Sequence, residues 1–239
     1  MGRPRLHPRP EEGDLIAMAD ALTALTPSDL AAWLRRSSTL LAEHVSALNE
    51  LDAAIGDADH GSNMKRGFAA VVTALDAEEF ADIPALMKKV GMTLVSSVGG
   101  ASGPLYGTFF LRLGTSQPGA TQLDAADLLA ALRAGVGGIE QRGKATVGEK
   151  TMLDAWAPAL DAFEQASTGE DASDLAAAVR AGAEGAEQGR EATTPLQASK
   201  GRASYLGERS IGHVDPGAAS TALLWQALAE TVAGQEGSA

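Results

Sequence analysis

The chain has 239 residues, 31 acidic against 19 basic side chains, a net charge of −12 and no cysteine. That length suits one sizeable domain. The missing cysteines exclude disulfides, thiol catalysis and Cys-ligated zinc, and the acidic balance argues against nucleic acid as a main partner. No apolar run reaches transmembrane length, and the N-terminal apolar stretch 15–25 is broken by Asp20, a poor signal peptide, so the chain reads as cytoplasmic with no membrane partner. Aromatics make up only 4% of a chain that is 45% hydrophobic, so the core must be built largely from Ala, Leu, Val and Met. Ala and Leu are strong helix formers.

Residues 1–25 are Pro- and Arg-rich, then acidic, then briefly apolar, and read as a poorly ordered appendage to a domain spanning 26–239. Thr26-Pro27 is a cap followed by proline at the first helical position. Leu30, Trp33, Leu34, Leu40, Leu41, Val45 and Leu48 follow at helical spacing, which predicts a first helix over 27–50. The next run, Leu51-Asp52-Ala53-Ala54-Ile55-Gly56-Asp57-Ala58-Asp59-His60-Gly61, brings three carboxylates together, with Asn63 just behind. Two like charges about 4 Å apart repel by roughly 4 kcal/mol at an effective dielectric near 20, so a chain that converges three of them needs cations. Oxygen-only ligands favour hard ions such as Mg²⁺, which binds substrate phosphates as well. From Ser62 the apolar pattern turns helical again, which places the acids before a helix N-terminus, where phosphate is favoured. An acidic turn with Asp as a helix cap and a calcium loop are the alternatives, although the full EF-hand spacing is missing.

A third helix is predicted over 83–98, stopped by Gly99-Gly100. Small residues Ala101, Ser102 and Gly103 precede Pro104, which can open a fourth helix, so a ligand could reach exposed backbone N–H groups there; taken alone, the segment is read in preference as a plain helix–helix turn. A fifth helix is expected over 124–141. The loop Gly143-Lys144-Ala145-Thr146-Val147-Gly148-Glu149-Lys150-Thr151 imitates a P-loop, but Glu149 separates the glycine from Lys-Thr and no strand precedes it, so a Walker fold is rejected. A sixth helix over 151–165 contains Pro158, which predicts a kink. The seventh, over 173–195, carries Gly182, Gly185 and Gly189, which weaken it unless another helix packs closely there. Residues 200–217 form a long polar loop with Lys200, Arg202 and Arg209, suited to neutralising phosphate, and Asp215-Pro216-Gly217 opens the last helix. No alternating strand pattern is visible, and the chain reads as all-α, with eight helices in one domain.

These segments closely resemble the ADP-binding L subunits (DhaL) of bacterial dihydroxyacetone kinases, of the phosphotransferase-linked type. The resemblance rests on Asp52–Gly61, on Gly91-Met92-Thr93-Leu94-Val95-Ser96-Ser97-Val98-Gly99-Gly100-Ala101-Ser102-Gly103-Pro104, on the loop 142–152 and on 200–217, and it covers residue 26 to the C-terminus. It implies a barrel of eight antiparallel helices with the nucleotide at one end. It implies two Mg²⁺ on Asp52, Asp57 and Asp59, and contacts to ADP or ATP from His60, Asn63, Ala101, Ser102, Gly143, Met152, Arg202, Asp215, Pro216 and Gly217. Arg202 suits phosphate or ribose as a guanidinium fork, and Met152 suits an adenine face or the core.

The family also implies partners: a K subunit that holds dihydroxyacetone, a phosphocarrier M subunit that phosphorylates the bound ADP, and in some cases a transcription regulator. A homodimer stays open. No nucleophile or base need come from this chain, because such transfer depends on positioning and charge neutralisation. The alternatives weighed are an ATP-exchanging kinase subunit for a related ketose such as erythrulose, an ADP-loaded regulatory module, and a metal-dependent phosphohydrolase, for which no candidate base stands out.

Overall fold

Thr26 opens the first helix with a reciprocal cap: its hydroxyl accepts the Asp29 N–H at 3.3 Å while the Asp29 carboxylate accepts the Thr26 N–H at 2.8 Å. The computed structural model describes residues 22–168 and 174–236. In chain order the elements are β1 (Ala24–Leu25), α1 (Pro27–Glu43), α2 (Val45–Ile55), α3 (His60–Ala77), α4 (Ile83–Ser97), α5 (Ser102–Thr115), β2 (Leu123–Asp124), α6 (Ala125–Gly143), α7 (Leu153–Ser167), α8 (Leu175–Ala192), a 3-10 segment (Arg202–Ser210) and α9 (Pro216–Glu236). Among the described residues the chain is all-α apart from β1 and β2, which pair antiparallel with Leu25 opposite Leu123. A two-residue strand is too short to leave an alternating pattern in the sequence. Of the expected appendage over 1–25, residues 1–21 lie outside the described ones, whereas Leu25 is buried in the core.

The predicted helix over 27–50 is in fact two helices. The chain breaks at His44, which leaves helical geometry at φ −101° and ψ 14° while its N–H still closes on the Leu40 carbonyl at 3.0 Å. The break is silent in sequence because the buried residues Leu41, Leu48, Asp52 and Ile55 keep helical spacing across it. Its consequence is positional: α2 runs on to Ile55, so Asp52 sits in a helical turn rather than in the bend.

Packing explains how the remaining helices sit. Each neighbours the next in the cycle α1, α3, α4, α5, α6, α7, α8, α9, and α9 returns to α1, while α2 stands apart against α3, α9 and the 3-10 segment. The interior is threaded by aromatic rings drawn from alternate helices. Trp33 meets Phe110 at 5.8 Å, Phe109 meets Phe110 edge-on at 5.0 Å, Phe109 stacks on Trp156 at 4.5 Å, and Trp156 meets Trp225 at 5.8 Å. Such pairs add about 0.5–1.5 kcal/mol each beyond area burial. The Trp33 indole also donates to the Leu224 carbonyl at 2.8 Å, tying α1 to α9. The glycines of α8 meet close neighbours, as the sequence requires of them: Gly182 faces the ring of Trp225, and Gly189 lies against the backbone of Asp154 in α7. No helix among the described residues is long and apolar enough to cross a membrane.

Candidate functional site

The ends of α2 and α6, the starts of α3, α5, the 3-10 segment and α9, and the loop 144–152 border one cleft of about 430 Å³. The residues that the resemblance implies all line it: Asp52, Asp57, Asp59, His60, Asn63, Ala101, Ser102, Gly143, Met152, Arg202, Asp215, Pro216 and Gly217. Of the other basic residues of the 200–217 loop, Lys200 lines the cleft and Arg209 does not. Residues more than 160 positions apart are thereby brought to one place.

At one side, ligand oxygens of Asp52, Asp57 and Asp59 all lie within 4.8 Å of one another. Asp52 is held from behind, since its Oδ2 accepts the N–H groups of Asp59 at 2.8 Å and His60 at 3.1 Å. The cap expected of an Asp at the start of α3 is therefore supplied by Asp52, while the side chain of Asp59 makes no capping bond. One carboxylate oxygen satisfies the helix start, which leaves Oδ1 for a cation. The turn between them is tight: Ala58 takes a left-handed φ of 65°, and Gly56 lies directly against the Asp52 carboxylate. A donor set made of carboxylate oxygens alone matches a hard divalent ion.

Behind the acids runs a buried polar chain. His60 Nε2 lies 2.9 Å from Ser220 Oγ, and Ser102 Oγ lies 3.3 Å from His60 Nδ1. The Tyr106 hydroxyl lies 2.8 Å from Ser220 Oγ and 3.0 Å from Thr221 Oγ1. Burial lowers the His60 pKa to about 4, against the raising influence of Asp52 and Asp59, and raises that of Tyr106 to about 12. Both are therefore neutral near pH 7. Ser220 Oγ is 3.0 Å from the Gly217 carbonyl and donates to it, so the chain reaches the start of α9. Tyr106, Ser220 and Thr221 are not legible in the sequence, because a buried hydroxyl in an apolar helix gives no periodic signal.

The neighbouring walls are equally fixed. Asn63 Oδ1 accepts from Arg66 at 2.6 Å, and Arg66 also donates to the Ser97 carbonyl at 3.0 Å, which ties α3 to the end of α4, just ahead of the turn 98–101. Gly100 there takes φ 64°, a left-handed geometry that glycine adopts without strain. Arg202 reaches across the cleft mouth to Asp57 at 3.0 Å. Met152 is both core and cleft wall: it is buried, and a Cβ on Gly217 would lie 3.4 Å from its own Cβ.

Asp215 caps α9 by accepting the Ala218 N–H at 2.7 Å. Burial is the largest cause that lifts its pKa, to about 7; the charge of Asp154 adds to the rise, and the Ala218 bond and Lys150 oppose it. The P-loop-like stretch follows the helix α6 and not a strand, so the rejection of a Walker fold stands.

Converging carboxylates, helix N-termini and a guanidinium on one cleft of an all-α chain define a domain suited to a cation-bridged phosphate ligand. Comparison with known proteins narrows this class. The chain belongs to the DAK2 domain family, whose profile matches residues 54–230. It is 47% identical over 199 residues to the PEP-dependent dihydroxyacetone kinase 1, ADP-binding subunit DhaL, of Listeria innocua, covering 83% of this chain and 93% of that one. It is 45% identical over 206 residues to the PEP-dependent dihydroxyacetone kinase, ADP-binding subunit DhaL, of Escherichia coli, covering 86% of this chain and 97% of that one. Among solved structures it is similar to the dihydroxyacetone kinase of C. freundii in complex with AMP-PNP and Mg²⁺, with a TM-score of 0.68 and 25% identity over 95% of this chain. The chain spans 38% of the length of that longer kinase.

Proposed function

We propose that this chain is the ADP-binding subunit of a phosphoenolpyruvate-dependent dihydroxyacetone kinase, with residues 26–239 acting as one nucleotide-binding domain. The observation that carries the reading is the meeting of Asp52, Asp57 and Asp59 within 4.8 Å at a cleft lined by every candidate nucleotide contact. Relatives named as ADP-binding subunits, at 47% and 45% identity over most of both chains, support it.

In this reading Asp52, Asp57 and Asp59 hold two Mg²⁺, which neutralise charge on phosphate oxygens when bound. The residues of the chain bind and orient. Backbone N–H groups at Ala101 and Ser102 meet phosphate at the start of α5, Arg202 supplies a guanidinium at the mouth, and Met152 with Pro216 and Gly217 forms an apolar wall for the base. His60, held neutral, and Asn63 complete the phosphate side.

A separate phosphocarrier subunit delivers the phosphoryl group to ADP held here, and a K subunit presents dihydroxyacetone to receive it. The chain itself contributes no nucleophile. Its work is positioning and charge neutralisation.

Native mass spectrometry of the purified chain before and after prolonged dialysis tests this. Retained ADP with two magnesium ions is the expected result. Loss of nucleotide with ready uptake of ATP replaces the reading with an ATP-exchanging kinase subunit, and failure to load Mg–nucleotide at all removes it.

A further inference from the structure

A lysine beside a phosphate-type cleft, in a stretch reading Gly148-Glu149-Lys150-Thr151, is ordinarily taken for a phosphate ligand. The geometry of Lys150 says otherwise. The residue lines the cleft, yet it is only 1% exposed, and its backbone takes a left-handed φ of 61°. Its ammonium donates to the Thr193 carbonyl at 2.6 Å, to the Thr194 carbonyl at 3.4 Å and to the His213 carbonyl. An ammonium has three N–H groups, and all three are committed to backbone oxygens.

Those three carbonyls belong to two segments that together place the turn Asp215-Pro216-Gly217. Thr193 and Thr194 follow the end of α8, and His213 lies two residues before the turn. The same segments are tied a second and a third time. Thr193 Oγ1 accepts the Asp215 N–H at 3.0 Å, and the Thr194 carbonyl accepts the Gly212 N–H at 2.8 Å. The backbone of the lysine's own loop is fixed in turn by Asp154, whose carboxylate accepts the N–H groups of Gly148 at 2.5 Å and Thr151 at 2.7 Å. One side chain thus joins the loop that carries Met152 to the turn that carries Pro216 and Gly217, the two sides of one end of the cleft. Asp215 and Asp154 favour its charge where burial opposes it.

We propose that Lys150 is a positioning residue for the nucleotide, which locks the Met152 loop to the Asp215-Pro216-Gly217 turn through three backbone carbonyls and makes no phosphate contact of its own. The proposal rests on the ADP-binding reading above. Outer partners that orient metal ligands carry roughly ten- to hundredfold effects on metal affinity or activity, and the same scale is expected of an ammonium that spans both walls of the cleft.

The test compares Lys150→Met, Lys150→Gln, Thr193→Val and Thr193→Ser with the wild-type chain. ADP affinity is measured by calorimetry in saturating Mg²⁺, Mn²⁺ affinity by paramagnetic resonance without nucleotide, and amide exchange over residues 212–219. Lys150→Met is expected to weaken ADP at least about tenfold and to speed exchange over 212–219, with Mn²⁺ affinity unchanged. Thr193→Val weakens ADP to a smaller degree, and Thr193→Ser, which keeps the acceptor oxygen, restores it. If Lys150→Met does not fold, Lys150→Gln decides, because its amide has two N–H groups on a shorter stem and cannot serve all three carbonyls; wild-type ADP affinity with unchanged exchange over 212–219 in that variant overturns the proposal. A folded Lys150→Met with wild-type ADP affinity overturns it, as does a parallel loss of Mn²⁺ affinity, which marks general destabilisation. A wild-type chain that takes up no ADP removes the functional reading instead. The tether is then read from amide exchange, which rises over 212–219 in Lys150→Met if it exists and is unchanged if it does not.

Discussion

A Cβ on Gly56 would lie 2.0 Å from Oδ1 of Asp52. The other oxygen of that carboxylate is anchored to the N–H groups of Asp59 and His60, so the group cannot swing aside without uncapping α3. Gly56→Ala therefore turns the Asp52 carboxylate away from Asp57 and Asp59. Mn²⁺ affinity is expected to fall at least about tenfold, in the range typical of disturbed ligand orientation. Overpacking costs about 1–3 kcal/mol of stability besides. A variant that binds Mn²⁺ as tightly as the wild type would show that Asp52 is not a ligand.

Arg202 and Asp57 meet at 3.0 Å at the open mouth of the cleft, with more than a third of each side chain exposed. A cation at the triad and the Arg202 guanidinium thus draw on the same carboxylate. Removing the guanidinium acts in opposite directions on the two ligands. Arg202→Gln should raise Mn²⁺ affinity in the absence of nucleotide by up to about fivefold, the scale of an exposed ion pair. It should lower ADP affinity about tenfold or more through loss of a charge-assisted bond. Parallel titrations of Mn²⁺ alone and of ADP in saturating Mg²⁺ read both; changes of the same sign would contradict this arrangement.

Asp215 gives the pH dependence. Its carboxyl titrates near 7 in the folded chain, above the ordinary carboxylate value of 3.8, so the folded state holds its proton longer than the unfolded chain. Below about pH 4 the group is protonated in both states and contributes nothing. Between about pH 4 and 7 the unfolded chain releases the proton first, so this contribution destabilises increasingly as pH rises, reaching on the order of a few kcal/mol. His60, lowered to about 4, acts in the opposite sense, because the unfolded chain takes up its proton first as pH falls.

Asp215→Asn keeps an acceptor for the Ala218 N–H and deletes only the titration. Urea unfolding of both proteins in EDTA, from pH 4.5 to 8, should give a stability difference that grows in favour of the variant up to about pH 7 and then levels. A difference independent of pH would place Asp215 in contact with solvent.

What is legible in this chain is what carries punctuation. Asp52, Asp57 and Asp59 fall within one short run, and glycines and prolines at 99–104 and 215–217 mark helix ends, so the cleft can be assembled from helix termini without knowledge of the packing. The hinge at His44 is hidden because apolar spacing continues through it, and β1 and β2 because two residues carry no period. Gly56 is visible in the acidic run, but its 2.0 Å approach to Asp52 is a matter of three dimensions. Thr193, Ser220 and Lys150 act through backbone carbonyls and hydroxyls far away in sequence, and no spacing rule reports such partners. The lysine is even misleading, since its neighbours resemble a phosphate loop while its ammonium is spent on the carbonyls of Thr193, Thr194 and His213.

The glycines of α8 allow a sharper test of how the walls of the site are held. Gly189 brings α8 onto α7 so closely that an added Cβ would lie 2.3 Å from the Asp154 carbonyl oxygen and 2.6 Å from Pro158 Cγ. Pro158 has no N–H to give that carbonyl four residues back, which leaves it facing α8. Gly137, inside α6, meets nothing within 4 Å. The same substitution should therefore have opposite signs. Gly137→Ala gains helix propensity and stabilises by about 0.5–1 kcal/mol. Gly189→Ala must push the backbones of α7 and α8 apart and destabilises by about 1–3 kcal/mol. Because the displaced segment carries Asp154, which holds the loop of Lys150, Gly189→Ala should also weaken ADP, whereas Gly137→Ala should not. Urea melts and ADP calorimetry on the two variants measure both effects, and a Gly189→Ala protein as stable as Gly137→Ala would mean that α7 and α8 slide apart without strain.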